Sequence, residues 1–388
     1  MPRLSRLFLP LVVCISSFAL GSSVEVVYVA QGTTILTYDI NPQTLNFTQV
    51  GSLSISDAST FGALVPSPND HFVYVIAADS TQTTHLYVYA TDANGALQSA
   101  PAQKLYAKSL RSLQIDPSAN FLYAIYATPN NSGNQTTFSI QRFVVNPSTG
   151  AVSQSVVEAK YTLPTYSGYT CNVTITGFNA AAIQLYDNVY CITHEGPYST
   201  YYERTVDSAT GALGPDVQIY TWGSDGESGE TVQFAGGHMF DFVYPDNPPT
   251  SLNIYPIEPN TSKPVLQCTA SMLAACGALN GPVVHPSGQY IFIGNSNNSG
   301  TEIEKVEYGE KKIVDTGNRV PYALGLFGPP FSPDGSLIFG VNYTGLGYYL
   351  QVNRFNVTTS QVTTGEEMFV LSTGANNTED AYFTARRF

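Results

Sequence analysis

The sequence has little positive charge. It contains 16 Lys and Arg against 29 Asp and Glu, and its formal net charge is −13 over 388 residues. A chain with so few cations is a poor ligand for polyanions. Nucleic acid and anionic membrane surfaces are therefore disfavoured as partners.

Long apolar runs are absent beyond the N-terminus. Two arginines precede an apolar run from Leu7 to Leu20, and small residues follow it. This arrangement predicts a cleaved secretory signal over residues 1–21 and one mature domain over residues 22–388. A membrane anchor is the weaker alternative, because the run is shorter than the roughly 20 residues that a bilayer span needs. We expect a secreted or periplasmic monomer that does not insert into membranes.

Cysteine is also scarce. One of the five cysteines lies in the predicted signal, which leaves an even number in an exported chain and predicts two disulfides. Three connectivities are open, and proximity in sequence favours Cys171 with Cys191 and Cys268 with Cys276. No CxxC spacing of the kind that binds zinc is present. Serine nucleophile elbows and phosphate-binding glycine loops are missing too.

Strand and turn chemistry is abundant. The segment GPVVHPSGQYIFIG at 281–294 predicts a strand, a Pro-Ser-Gly turn and a second strand, and similar segments occur at 62–76, 111–126 and 327–341. Proline presets φ for a tight turn, and the Ser, Asp, Asn or Gly residues after it tolerate the left-handed conformation. The second strands are apolar without alternation, which is typical of strands covered on both faces.

A second hairpin signature recurs seven times. With residues 41, 92, 146, 207, 258, 309 and 357 taken as equivalent, successive copies are 48 to 61 residues apart. A repeat of this length with four strands per copy is typical of a β-propeller blade. The first copy lacks an inner strand, whereas the segment at 381–388 is a strand without a hairpin partner. We therefore predict an all-β, seven-bladed β-propeller of four-stranded antiparallel blades, closed by pairing the N- and C-terminal strands in one blade.

The two repeated hairpins resemble those of the lactonase-type seven-bladed β-propellers, a group that includes 6-phosphogluconolactonase-like and YVTN-repeat proteins. The likeness covers nearly all of the mature chain and implies the fold and, as an expectation, a lactonase-like activity. The inner strands lack the histidine beside proline that lactonases of this group usually carry, and Asp-Leu-Gly-x-Asp is absent. The catalytic residues of the family are therefore not carried over, since a fold does not fix a function.

Candidate catalytic residues come from the predicted loops at the mouth of the central channel. Arg111 opens an inner strand and Arg319 lies in a later loop, where a guanidinium can bind a lactone carboxylate through two hydrogen bonds. Glu230 is a candidate general base, and His194 is a candidate proton shuttle. Solvated loop residues or caps on backbone carbonyls are the alternative interpretation.

Candidate substrate-binding residues flank these positions. Asp225 and Glu227 share a glycine-rich loop with Glu230, while Tyr198 and Tyr201 follow His194 and offer rings for stacking. The acidic loop could also form part of a cation site, but a bound Ca²⁺ is not indicated, and we expect neither a metal nor a cofactor.

Two functions remain open at this point. One is an exported lactonase-like hydrolase of a lactone or sugar-derived ring ester, and the other is a non-catalytic propeller that binds a glycan, a peptide or a protein partner.

Overall fold

The computed structural model describes residues 25–41, 43–107, 109–153, 155–165, 169–179, 183–193, 196–222, 231–243, 251–256, 266–269, 282–294, 300–321, 323–324, 331–332, 334–344, 347–372 and 381–387. The predicted signal lies outside these residues. The regular elements of the described part are all β-strands. It contains no helix with the length and apolar character needed to span a membrane.

The strands form seven four-stranded antiparallel sheets, which confirms the predicted propeller and its blade count. Each sheet is a blade, and its strands are named a to d from the axis outward. Blade 1 contains β28 (Ala381–Arg387), β1 (Glu25–Gln31), β2 (Thr34–Ile40) and β3 (Phe47–Ser54). Blade 2 contains β4 (Thr60–Pro66), β5 (Phe72–Ala78), β6 (Thr84–Ala90) and β7 (Gln103–Tyr106). Blade 3 contains β8 (Leu110–Ile115), β9 (Phe121–Pro129), β10 (Gln135–Val144) and β11 (Val156–Pro164).

The remaining blades follow the same a-to-d order. Blade 4 contains β12 (Thr170–Asn179), β13 (Gln184–Thr193), β14 (Gly196–Thr205) and β15 (Val217–Trp222). Blade 5 contains β16 (Thr231–Ala235), β17 (His238–Val243), β18 (Ser251–Pro256) and β19 (Leu266–Thr269). Blade 6 contains β20 (Val283–Val284), β21 (Tyr290–Gly294), β22 (Thr301–Glu307) and β23 (Lys312–Val320). Blade 7 contains β24 (Ala323–Leu324), β25 (Leu337–Thr344), β26 (Gly347–Asn356) and β27 (Gln361–Ser372).

The ring is closed by the two ends of the chain. The C-terminal strand β28 pairs with β1 along its whole length, with Glu25 opposite Arg387 and Gln31 opposite Ala381. The same strand contacts β4 of blade 2, as an inner strand of blade 1 must. This arrangement confirms the predicted closure and leaves no open inner edge at the chain ends.

The turns have the conformations that their residues favour. In the a–b turns a left-handed residue occupies the last position, with φ of 63° at Asp70, 58° at Ala119, 69° at Gly288 and 74° at Gly335. The c–d turns are closed by side chains that accept backbone N–H groups two or three residues further along. The side chains that do so are Asn41, Asp92, Asn146, Asp207 and Asn356. Because these hydrogen bonds form within a few residues, the repeat can be recognised from the sequence alone.

The core lies between the blades, where apolar side chains from both faces of each b and c strand pack. Strand b of the first three blades also carries a buried tyrosine whose hydroxyl donates to a c–d turn carbonyl of the next blade. The pairs are Tyr28 with Gly95 at 2.7 Å, Tyr74 with Gly150 at 3.1 Å and Tyr123 with Gly211 at 2.7 Å. Each of these three blades is thus tied to the next by a buried hydrogen bond as well as by apolar packing.

Candidate functional site

Arg111 is placed at the inner edge of blade 3 by a β-bulge. In β8, Leu110 pairs with Tyr126 and Ser112 pairs with Ile125, so that Arg111 is an extra residue between two paired ones. Bulges redirect a side chain out of the regular alternation of a strand. Arg111 is exposed and has no hydrogen bond or ion pair with any described residue. Its guanidinium is therefore available to an anionic ligand.

The same bulge occurs at the equivalent position of blade 2. There Phe61 pairs with Ala77 and Ala63 with Ile76, which leaves Gly62 as the extra residue. A Cβ at Gly62 would lie 3.3 Å from the Ile76 side chain, a tight contact that would require that side chain to shift by a few tenths of an ångström. Of these two equivalent bulges, only that of blade 3 presents a charge.

Arg319 lies elsewhere than the sequence predicts. It is part of the outer strand β23, not of a loop between blades, and pairs with Glu302 of β22. Its guanidinium donates to both carboxylate oxygens of Asp315, at 3.0 and 3.2 Å, and lies 3.2 Å from Glu302. The prediction of a loop was wrong because the β22–β23 hairpin continues through a bulge near Glu302 to the end of the repeat. Two carboxylates already neutralise this arginine.

Arg111 and Arg319 are not brought together. One lies on an inner strand of blade 3 and the other on the outermost strand of blade 6. Adjacent strands of a sheet are about 4.8 Å apart, so an outer strand lies roughly 14 Å further from the axis than an inner one. The two arginines therefore cannot both bind the same small ligand.

Glu304 is a buried carboxyl group near Arg319 that is not among the site residues predicted from the sequence. It is 6% exposed and lies opposite Asp315 on the neighbouring strand. Burial raises the pKa of Glu304 to about 7, with the carboxylates of Asp315 and Glu302 adding to the effect and Arg319 opposing it. A carboxyl group with this pKa can hold or release a proton near neutral pH. Only the side-chain environment reveals it, because Glu-x-Glu on a strand is a common surface pattern.

Tyr198 and Tyr201 were expected in a loop but lie on strand β14. The strand begins immediately after residues 194 and 195, so the predicted loop is too short to contain the tyrosines. The hydroxyls of Tyr198 and Tyr169 are 2.9 Å apart, and burial raises the pKa of Tyr198 to about 12. Tyr201 is 7% exposed. A side chain as buried as Tyr201 is unsuited to stack on a substrate.

The other predicted site residues lie outside the described part of the chain, namely His194, Asp225, Glu227 and Glu230. The structure contains the Cys171–Cys191 disulfide, between residues that face each other on β12 and β13. Cys268 is on β19, and Cys276 lies outside the described residues. The described residues contain no group of three or more His, Cys, Asp or Glu side chains placed to hold a metal ion.

A buried ion pair within blade 4, between Arg204 and Asp187, is linked to blade 3 through the hydroxyl of Tyr161. Arg204 Nε donates to Asp187 at 2.9 Å and Arg204 Nη2 donates to the Tyr161 hydroxyl at 2.5 Å, while that hydroxyl donates to Asp187. Asp187 is 0% and Arg204 5% exposed. Burial raises the pKa of Asp187, and the adjacent Arg204 cation opposes this. Because no ligand can reach these groups, they form a structural contact between blades.

His285 has a structural position, as its place in the Pro-Ser-Gly turn predicts. It is 3% exposed, and Nε2 lies 2.9 Å from the Gly335 carbonyl oxygen in the a–b turn of the next blade. Desolvation lowers the pKa of this imidazole, so the ring is neutral at physiological pH and donates one hydrogen bond across the blades.

Comparison with known proteins bears on the fold. No family model and no curated protein sequence matches the chain. Among solved structures, a Bacteroides uniformis protein assigned as a 6-phosphogluconolactonase has a TM-score of 0.59 and 15% identity, covering 94% of this chain and 99% of its own. A Bacteroides fragilis protein with the same assignment has a TM-score of 0.52 and 13% identity over 95% and 99% of the two chains. A periplasmic gluconolactonase of Pseudomonas aeruginosa covers less of the chain, 73%, with a TM-score of 0.45 and 12% identity.

The chain is a seven-bladed β-propeller, and its structural neighbours include two proteins assigned as 6-phosphogluconolactonases. At 15% and 13% identity the likeness concerns the fold, and it does not transfer an activity. The resemblance found in the repeats of the sequence is thus confirmed at the level of architecture.

Proposed function

We propose that this protein is an exported lactonase-like propeller that takes an anionic lactone or sugar-acid ring ester at the inner edge of blade 3. Arg111 carries the proposal. It is exposed, unpaired among the described residues, and set at a bulge on the innermost strand of a strongly acidic protein. A guanidinium in this setting binds a carboxylate or phosphate through two parallel hydrogen bonds.

The proposed reaction is addition of water to the lactone carbonyl and cleavage of the ring C–O bond, which gives the hydroxy acid. Arg111 would hold the anionic substituent and so orient the ring, without taking part in proton transfer. The base that activates water would come from the loops that carry His194, Glu230, Asp225 and Glu227. These assignments remain part of the proposal, as does export, which the predicted N-terminal signal and the Cys171–Cys191 disulfide favour.

The test compares an anionic with a neutral substrate. Hydrolysis of 6-phosphoglucono-lactone and of glucono-1,5-lactone is followed in a pH-stat, with spontaneous hydrolysis subtracted. We expect Arg111→Ala to lower kcat/KM for the phosphorylated lactone by about 10- to 100-fold, the loss of one charge-assisted contact. The neutral lactone should be affected much less.

The matched control is Lys160→Ala, which removes an exposed cation from the outer strand β11 of the same blade. It should leave both rates unchanged. The proposal is wrong if the wild-type protein does not hydrolyse either lactone faster than buffer does, or if the two variants behave alike.

A second candidate is binding without hydrolysis. It is favoured by the absence of an ion pair between Arg111 and any described carboxylate, and by the neutralisation of Arg319 by Glu302 and Asp315. In that case titration calorimetry would show that 6-phosphogluconate binds in an Arg111-dependent way, while no lactone is turned over.

A further inference from the structure

A second polar and aromatic surface lies on the outer part of blade 2, facing blade 1. His85 and Tyr87 of β6 are paired with Tyr106 and Lys104 of β7, so the four side chains share one face of the sheet. The ring centroids of His85 and Tyr106 are 5.8 Å apart in an edge-to-face contact. Lys104 places its ammonium 5.2 Å from the centre of the Tyr87 ring. We call this group the blade 1–2 cleft.

Tyr106 is the most exposed of the large apolar and aromatic side chains identified among the described residues, at 68%. It ends the short strand β7 and therefore projects at the rim of the propeller, where neighbouring blades diverge. A tyrosine ring held from behind by another ring offers a flat, apolar face with a polar edge. Such a platform stacks on the C–H face of a pyranose.

The charges around the platform disfavour an anionic ligand. Asp57, in the connection from blade 1, forms an ion pair with Lys104, and their side chains are 46% and 40% exposed. His85 Nε2 lies 3.3 Å from Asp79, which is itself fixed by hydrogen bonds from Thr81 and Thr83. The surface therefore carries two carboxylates against one ammonium and offers both donors and acceptors, which suits a neutral hydroxylated ligand and not an anion.

One buried polar atom of the cleft, Nδ1 of His85, has no hydrogen-bond partner among the described residues. An unpaired buried group of this kind is rare and calls for a partner. The hydroxyl of Tyr87, a residue that is 2% exposed, makes no hydrogen bond of good geometry but interacts with Asp57 and Lys104. Burial, with the Asp57 carboxylate as a further cause, raises the pKa of Tyr87, so the hydroxyl keeps its proton and can donate. Movement of the partly exposed Lys104 side chain would uncover the Tyr87 hydroxyl.

We propose that the blade 1–2 cleft is a binding site for a neutral saccharide, which stacks on Tyr106 and hydrogen-bonds through the polar groups beside it. This site is separate from Arg111, which lies on the inner edge of another blade, and its ligand differs in charge from the anionic lactone proposed there. The inference does not depend on the lactonase proposal.

The experiment uses three neutral probes, cellotetraose, mannotetraose and chitotetraose, with the full mature chain. Binding is detected by saturation-transfer NMR and quantified by titration calorimetry. At least one probe should bind the wild type, Tyr106→Ala should weaken it by about tenfold or more, and Tyr106→Phe should stay within about threefold, because the ring face is kept.

Two controls separate this site from others. Tyr190→Ala removes a 38% exposed tyrosine from blade 4 and should leave saccharide affinity unchanged. Arg111→Ala should also leave it unchanged. The proposal is overturned if none of the three probes binds at millimolar concentration, or if Tyr106→Ala and Tyr190→Ala have the same affinity. Because Tyr106 is so exposed, neither outcome can be ascribed to misfolding if the melting temperature is retained.

Discussion

Replacing Arg204 by methionine should destabilise the propeller more than removal of any surface arginine. Methionine keeps an unbranched apolar stem but ends before the position of the guanidinium, so the cation and its hydrogen bonds are lost. Asp187, which is 0% exposed, then keeps the Tyr161 hydroxyl as a donor but has no buried positive charge beside it. Removing one partner of a buried pair costs about 3–5 kcal/mol, because the other charge is left uncompensated.

The expected loss of stability can be measured as a decrease in melting temperature. For a chain of this size we take about 2 °C per kcal/mol, at the low end of the values for smaller domains, so the Arg204→Met variant should melt about 6–10 °C below the wild type. The double variant Asp187→Asn with Arg204→Met removes both charges. It should recover about half of that loss, since no unpaired buried charge remains.

Differential scanning fluorimetry at one heating rate measures all three proteins, together with Arg319→Met as the control. Arg319 also contacts two carboxylates but is 36% exposed, so its loss should cost under about 1 kcal/mol. Equal melting temperatures for Arg204→Met and Arg319→Met would refute the reasoning. So would a double variant less stable than Arg204→Met alone.

Two further predictions concern single side chains. The folded-state pKa of Glu304 is raised from 4.5 to about 7, so its contribution to stability is present below the lower value and is lost as pH rises through the upper one. Relative to the wild type, the free energy of unfolding of Glu304→Gln should therefore rise by about 1–2 kcal/mol from pH 5 to pH 8, after discounting for solvent screening. Urea titration measures this, and a difference between the midpoints of the two proteins that is the same at both pH values would contradict it. Tyr123→Phe removes the 2.7 Å hydrogen bond to the Gly211 carbonyl and should cost about 1–2 kcal/mol, whereas Tyr106→Phe, at a hydroxyl without such a bond, should cost almost nothing in the same urea titration.

The candidate site was only partly accessible to sequence reasoning. The position of Arg111 at the start of an inner strand was predicted from the Pro-x-Gly turns, which locate those strands, and it is confirmed, whereas its role in a site stays a prediction. Its exposure, however, comes from a bulge defined by pairing with Tyr126 and Ile125 on another strand. The role of Arg319 depends on a cross-strand partner, Glu302, which lies 17 residues away in the sequence and is set by register.

Contacts between strands also explain why two residues with notable environments were not predicted from the sequence. His85 was assigned no role, yet the pairing of β6 with β7 sets it against Tyr106 and close to Asp79. Glu304 acquires its raised pKa from burial between blades, a property that no local pattern encodes.

The sequence alone determined the strands, the turns and their number. These follow from local physics, namely the φ preset by proline, the left-handed tolerance of Gly, Asn and Asp, and side-chain caps that act within three residues. Periodic repetition of these signals was enough to count the blades and to predict that the two chain ends share one of them. The tertiary structure alone decided which charges meet. Arg204 contacts Asp187 and Tyr161, and Arg319 contacts Glu302, only because strand register and the packing of neighbouring blades bring them together. Electrostatic pairing depends on distances of a few ångströms between segments that are far apart in the chain, and these distances are not encoded in any local stretch of it.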